Sequence, residues 1–306
     1  MSRFIPTITD SLRDKVIVVT GGANGIGASL VELCCQHGAY VCFGDVDVAS
    51  GEQLARKLSA ETTTPGSKPR VRFVAVDVSS YQDNLELFRA AFATYGRVDH
   101  AVAAAGIGEM GNWFDPALTV ESVEEPPPTK VLEVNLIGCL YFARIASVYL
   151  RQNRAPDAGA DRSLTLISSV AGFKESPGLF VYQASKHGVL GLMRALRRYM
   201  ALPTTHDIRV NAVCPWMTDT AMVRGIERAW KAADMPVNAP LDVARVVAGL
   251  LCQTGLNGTA MYVEGGRAWE IEDNIDRLEP QWLGEEPSRS LRRGQEILGS
   301  GMDWTE

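Results

Sequence analysis

In the stretch FVYQASKHG, residues 180–188, a tyrosine and a lysine stand four residues apart, Tyr182 and Lys186, with Gln-Ala-Ser between them. On a helix that spacing sets both side chains on one face, a turn apart. A free phenol has a pKa of about 10, so it is a poor base near neutrality. An ammonium group within a few ångströms favours the phenolate and lowers that pKa, which makes the pair an acid/base device for a hydroxyl or carbonyl oxygen. Two plainer readings compete: a surface i,i+4 pair, or a half-buried packing tyrosine. The rest of the chain decides between the three.

A second chemical signal lies near the start. TGGANGIG, Thr20 to Gly27, places glycines at 21, 25 and 27, with Asn24 and Ile26 between, directly after an apolar run. Such a loop lets the backbone turn sharply and approach a pyrophosphate, while the following helix offers free amides and its positive dipole end. Asp45 closes the next apolar run. A carboxylate there can accept both hydrogen bonds from an adenine-ribose diol and repels a 2′-phosphate. Ala23 and Asn24 stand where an arginine or lysine would balance that phosphate, so NAD is expected in preference to NADP. The plain alternative for Asp45 is a solvated strand-end turn, shared with Asp47. Asp77 and Val78 end a third apolar run and are placed to meet the adenine.

Other chemistries find no support. His37, His100, His187 and His206 have no convincing partner, which leaves no serine-hydrolase or zinc site, and no metal is expected. Cysteines 34, 35, 42, 139, 214 and 252 sit in apolar segments without metal-type spacing and read as buried free thiols. A net charge of −6 and a pI near 5.4 argue against nucleic-acid or anionic-membrane partners. The N-terminal residues hold no apolar signal core, and no stretch is expected to be long enough to cross a bilayer. A cytoplasmic protein is the expectation.

The elements that must position these residues alternate along the chain. Strands are expected at 15–20, 39–45, 70–78, 98–106, 163–169, 207–213 and 258–265, with helices after the glycines to about 37 and near 50–59, 82–95, 129–152 and 180–201. The strands are apolar throughout, as in a parallel sheet covered on both faces. This predicts an α/β, Rossmann-like doubly wound fold, a seven-stranded mostly parallel sheet with helices on both faces. Residues 1–264 form a single domain in this reading. From 265 the apolar strand pattern stops, and 265–306 is a C-terminal extension whose Trp269, Trp282 and Trp304 imply docking on the body or on a partner subunit.

Taken in order, TGGANGIG, Asp77-Val78, AAAG (103–106), EVNLIG (133–138), Ser168-Ser169, YQASK (182–186) and VNAVCPW (210–216) resemble the classical short-chain dehydrogenase/reductase family over roughly residues 12–266. The resemblance implies that Tyr182 is the general acid/base and Lys186 its partner. Ser169, thirteen residues earlier, would bind the substrate oxygen, with Ser168 as the competing serine. Asn135 would hold a helix irregularity and a proton-relay water. To the cofactor it assigns Gly21, Asn24, Gly25, Ile26 and Gly27, Asp45, Asp77 and Val78, Ala105 and Gly106, Pro215 and Thr218, together with Tyr182 and Lys186.

Two departures stand out: Ala103-Ala104 replaces the family's two asparagines, which puts local rigidity in doubt, and Trp216 replaces a glycine after Pro215. The loops beyond the strand ends carry Met110, Trp113, Phe173, Trp216 and Met222, a bulky apolar set with few cations. They point to NAD-dependent interconversion of a secondary alcohol and a ketone on a hydrophobic substrate such as a steroid, terpenoid or polyketide, of the kind made in secondary metabolism. The alternatives are a non-redox relative such as an isomerase, or a non-catalytic dinucleotide-binding regulator. The family resemblance also implies a homodimer or homotetramer built on the helices at 129–152 and 180–201.

Overall fold

The computed structural model describes residues 3–62, 68–153, 161–225, 227–299 and 301. Among them one sheet is formed by β1 (Arg3–Phe4), β2 (Val16–Thr20), β3 (Tyr40–Asp45), β4 (Val71–Ala75), β5 (His100–Ala103), β6 (Ser163–Ile167), β7 (Arg209–Pro215), β8 (Ala260–Glu264) and β9 (Arg267–Glu270). Their order is β1-β9-β8-β7-β6-β5-β2-β3-β4. From β4 across to β8 every pairing is parallel. The switch of direction around β2 opens the crevice where doubly wound folds bind nucleotides. Every residue of Val16–Thr20 and of Ser163–Ile167 is buried, as strands covered on both faces require.

The helices are α1 (Gly25–Gln36), α2 (Val48–Thr62), α3 (Tyr81–Tyr95), α4 (Lys130–Leu132), α5 (Gly138–Tyr149), α6 (Phe180–Tyr199), α7 (Glu227–Ala232), α8 (Pro240–Cys252), α9 (Glu272–Leu283) and α10 (Glu285–Leu298). A π turn, Glu133–Ile137, joins α4 to α5. Two apolar cores result. One gathers residues of α3, α5 and α6, with Phe88, Phe142, Leu164 and Leu190 among them. The other lies on the opposite face under α1, α2 and α8, with Leu30, Phe43, Val102 and Val247.

Three expectations need correction. The seven strands are present, but the sheet is mixed and longer, because β9 and β1 add antiparallel strands beyond β8. The chain does not leave the sheet at 265: Gly265 and Gly266, at φ +54° and +72°, make the tight hairpin that returns it. Lys130–Tyr149 is long and apolar enough to cross a membrane, with a mean hydropathy of 1.5. Half of that window is buried inside the protein, and its apolar length serves the core of one sheet face.

Beyond β9 the chain stays on the body through Glu272, only 3 % exposed, which faces Arg194 and Arg197 of α6. Trp269 stacks on Tyr262 at 5.8 Å and Trp282 is exposed, while Trp304 lies outside the described residues. All six cysteines are free; five are buried and Cys252 is half-buried.

Candidate active site

Tyr182 and Lys186 occupy the first two turns of α6, at the C-terminal ends of β5 and β6. Lys186 is 4 % exposed; its Nζ donates to the Ile167 carbonyl at 3.1 Å and lies 5.6 Å from the Tyr182 ring centroid. This is no surface pair. An ammonium has three donors, so a buried one with one carbonyl partner retains donors for a ribose diol or a phenolic oxygen.

Gly106 sits beside it. A Cβ there would stand 3.4 Å from both Lys186 Nζ and Asn135 Oδ1, so the glycine keeps the space between them open.

The geometry separates the two serines. Ser168 is 3 % exposed and its hydroxyl donates to the Lys186 carbonyl at 2.8 Å, which ties the end of β6 to α6. Ser169 Oγ instead accepts from Ala171 N–H at 3.2 Å, capping the short turn Val170–Gly172. Its own proton is then available to a substrate oxygen. Asn135 lies inside the π turn, where its Oδ1 accepts from Ile107 N–H at 2.8 Å and its Nδ2 donates to Ile107 O at 2.9 Å. The same Nδ2 reaches Ser185 Oγ at 3.2 Å, and Ser185 donates to Tyr182 O at 2.6 Å. The π turn therefore fixes the loop after β5 against the helix that carries Tyr182, a common use of such irregularities.

The glycine loop has the shape a dinucleotide needs. A Cβ on Gly21 would lie 2.6 Å from Ala105 Cα, and one on Gly27 would lie 2.0 Å from Gly21 O. Gly21 and Gly25 both adopt positive φ, +67° and +54°. Asn24, at the N-cap of α1, makes no side-chain cap bond and turns its amide to Asp47 at 3.0 Å, which leaves the first-turn amides of α1 without a side-chain cap from it. Asp45 holds the loop by accepting from Ala23 N–H at 3.0 Å and stands where an adenine ribose would sit.

Other expected cofactor positions are placed less directly. The Asp77 carboxylate accepts from Ser79 and Lys130, and the Ser79 hydroxyl, with Lys130, holds it below the usual carboxylate range. Val78 gives its carbonyl to Asn84 Nδ2 at 2.7 Å and packs under Gly138. Thr218 is buried; its hydroxyl donates to Trp216 O at 2.9 Å and lies 3.4 Å from Asn238 Nδ2. Pro215 ends β7 beside Val263. Thr220, which sequence reasoning passed over, is the side chain that faces the loop: its methyl would lie 3.2 Å from a Cβ on Gly25. The alanines at 103–104 do not leave the turn unheld, since Thr20 Oγ1 accepts from Ala105 N–H at 3.5 Å.

The residues expected at the substrate lie in the loops after β5, β6 and β7. Met110 and Met222 are exposed, and a Cβ on Gly108 would lie 3.5 Å from Met222 Cγ, so the loops after β5 and β7 meet. Trp216 packs edge-on against Trp230 at 5.1 Å and Phe173 against Tyr262 at 6.0 Å. Trp113 is partly buried, and its indole N–H has no hydrogen-bond partner. Among the described residues no group of three His, Cys, Asp or Glu side chains could hold a metal ion.

Residues 15–231 match the family model for short chain dehydrogenases, which spans the glycine loop, the Asn135 turn, both serines and the Tyr182–Lys186 pair. The chain belongs to the short-chain dehydrogenase family. It is 32% identical to a short-chain dehydrogenase/reductase of Acremonium egyptiacum, over 87% of this chain and 83% of the relative. It is 30% identical to 5′-hydroxyaverantin dehydrogenase of Dothistroma septosporum, over 93% and 94%. The crystal structure of gox2181 superposes with a TM-score of 0.68 at 27% identity, covering 84% of this chain and 97% of that one. This short-chain dehydrogenase is thus an oxidoreductase enzyme of a family that uses nicotinamide dinucleotides. The cradle described above fits that cofactor: Gly21, Gly25 and Gly27 would admit the pyrophosphate, Asp45 the adenine ribose, and Lys186 the nicotinamide ribose.

Proposed function

We propose that the protein interconverts a secondary alcohol and a ketone on a bulky apolar molecule of secondary metabolism, with NAD rather than NADP. The observation that carries the reading is the buried Lys186 ammonium beside the Tyr182 ring, within one turn of α6, with its Nζ on the Ile167 carbonyl two residues before Ser169. In the oxidative direction Tyr182, as phenolate, takes the hydroxyl proton. The Lys186 cation favours that phenolate electrostatically. Ser169 donates to the same oxygen, where charge changes as the carbon becomes a carbonyl. The bound nicotinamide supplies the hydride chemistry.

Asp45 supports NAD, because a 2′-phosphate placed there would face a carboxylate with no cation in the glycine loop. A bulky apolar substrate is supported by Met110, Trp113, Phe173, Trp216 and Met222 in the loops after β5, β6 and β7. A relative named for 5′-hydroxyaverantin supports oxidation of a hydroxylated compound. Assembly as a homodimer or homotetramer through α5 and α6 is part of the same proposal, favoured by Leu140 and Val148 on the exposed side of α5.

The test is nicotinamide absorbance with NAD⁺ or NADP⁺ over a panel of apolar secondary alcohols. Reduction of NAD⁺ by the bulky members is expected. Turnover confined to NADP⁺, or none with any alcohol, contradicts the proposal.

A further inference from the structure

Helix α6 carries Tyr182 and Lys186 but has no cap of its own, since Leu179 at its N-cap makes no side-chain cap bond. The first-turn amides are met from elsewhere. Glu109, in the loop after β5, brings one carboxylate oxygen to Tyr182 N–H at 2.7 Å and the other to Val181 N–H at 3.3 Å. From the same loop Phe114 packs edge-on against Phe180 at 4.9 Å. Two residues before Glu109, Ile107 is bonded through both its N–H and its carbonyl by Asn135. The segment 107–109 is therefore clamped between the π turn at one end and the catalytic helix at the other. Immediately past the clamp the chain becomes the exposed substrate-side loop at Met110. A carboxylate on first-turn amides satisfies orphan donors and complements the helix dipole.

We infer that Glu109 is a positioning residue: it caps the catalytic helix from the substrate loop and so couples the placement of that loop to the placement of Tyr182. Its kinetic consequence rests on the alcohol-oxidation reading above, while its structural consequence does not.

Two variants of the full chain test it, Glu109→Ala and Glu109→Gln, each with NADH titrations, steady-state kinetics on an alcohol the wild type oxidises, and amide hydrogen exchange. Glu109→Ala is expected to lower kcat about ten-fold and raise KM for the alcohol, because small misplacements of reacting groups are costly. NADH affinity should change less than kcat, about three-fold at most, because the glycine loop and Asp45 are untouched and Lys186 lies a turn beyond the capped amides. Glu109→Gln keeps a carbonyl acceptor for Tyr182 N–H and should recover kcat to within about three-fold of wild type. Exchange at residues 180–183 should quicken in Glu109→Ala and not in α1. Unchanged kcat and KM with only a lower melting temperature would reduce Glu109 to a structural cap and overturn the inference. Unchanged exchange at 180–183 would overturn the capping itself. A wild type that oxidises no alcohol overturns the functional reading, and the exchange experiment then decides the capping alone.

Discussion

At the end of β3 the Asp45 carboxylate turns toward the glycine loop, one oxygen accepting from Ala23 N–H and the other from Asp47 N–H, each at 3.0 Å. These bonds hold the carboxylate beside the glycine loop, where the proposed preference for NAD sets it against the adenine ribose. Asp45→Ser removes the repulsion of a 2′-phosphate and the acceptor for the ribose diol together. We expect the ratio of kcat/KM for NAD⁺ over NADP⁺ to fall by about ten-fold or more, since a lost charged hydrogen bond is worth about 1.5–3 kcal/mol. An unchanged ratio would place discrimination elsewhere. The place of Asp45 at the end of β3 was legible from the apolar run before it. Thr220 was not, because nothing in Thr-Asp-Thr reveals which threonine turns toward the loop until the Trp216 turn is folded. Between the adjacent Ser168 and Ser169 the sequence offered only the thirteen-residue spacing to Tyr182, which favours Ser169; the hydrogen bonds of Ser168 to Lys186 O and of Ala171 N–H to Ser169 add a physical difference.

Elements were legible where the pattern was strong. Val16–Thr20 and Ser163–Ile167 are apolar or small throughout and bounded by turns, so their burial could be read directly. β9 is four residues, Arg-Ala-Trp-Glu, with two charges, and β1 is two; neither carries enough period-two signal to declare itself. The Gly265-Gly266 pair was the available clue to the hairpin. α9 then docks by charge. Glu272 takes Arg194 at 2.8 Å in a two-pronged contact and Arg197 at 3.1 Å, and it is nearly inaccessible to water. Glu272→Ala removes the partner of two guanidinium groups that are themselves 39 % and 21 % exposed, so water takes up part of the lost bonding and the expected loss is about 1–2 kcal/mol, below that of a fully buried pair. Urea unfolding should show the midpoint moving down accordingly; an unmoved midpoint would mean that the extension is held by other contacts.

For the molecule as a whole, the end of the sheet opposite the site is set by buried charge. Asp99 pairs with Arg162 at 2.6 Å and Asp161 with Arg209 at 2.6 Å, beside His100 on Ser163 Oγ at 2.9 Å. Burial pushes the His100 imidazole down to about 4. The folded protein keeps it neutral, while the unfolded chain takes up a proton below about 6.5. The unfolded state thus binds more protons between those values, and stability falls as pH drops from about 6.5 to 4, by on the order of 3 kcal/mol. Unfolding measured across that window should show the slope, and His100→Gln should flatten it. Equal slopes in the two proteins would assign the acid sensitivity to the carboxylates instead. None of this network was visible as sequence, since Asp99, His100, Asp161, Arg162 and Arg209 become neighbours only when β5, β6 and β7 pair.

The claim on which the rest depends is that Tyr182 moves the proton. Tyr182→Phe removes one oxygen and leaves the ring, Lys186 and the glycine loop in place. Turnover of the wild type's alcohol by this variant should fall by about 10³-fold or more, with NADH bound as tightly as by the wild type. A variant that still turns over at a comparable rate, with NADH bound, would contradict the account.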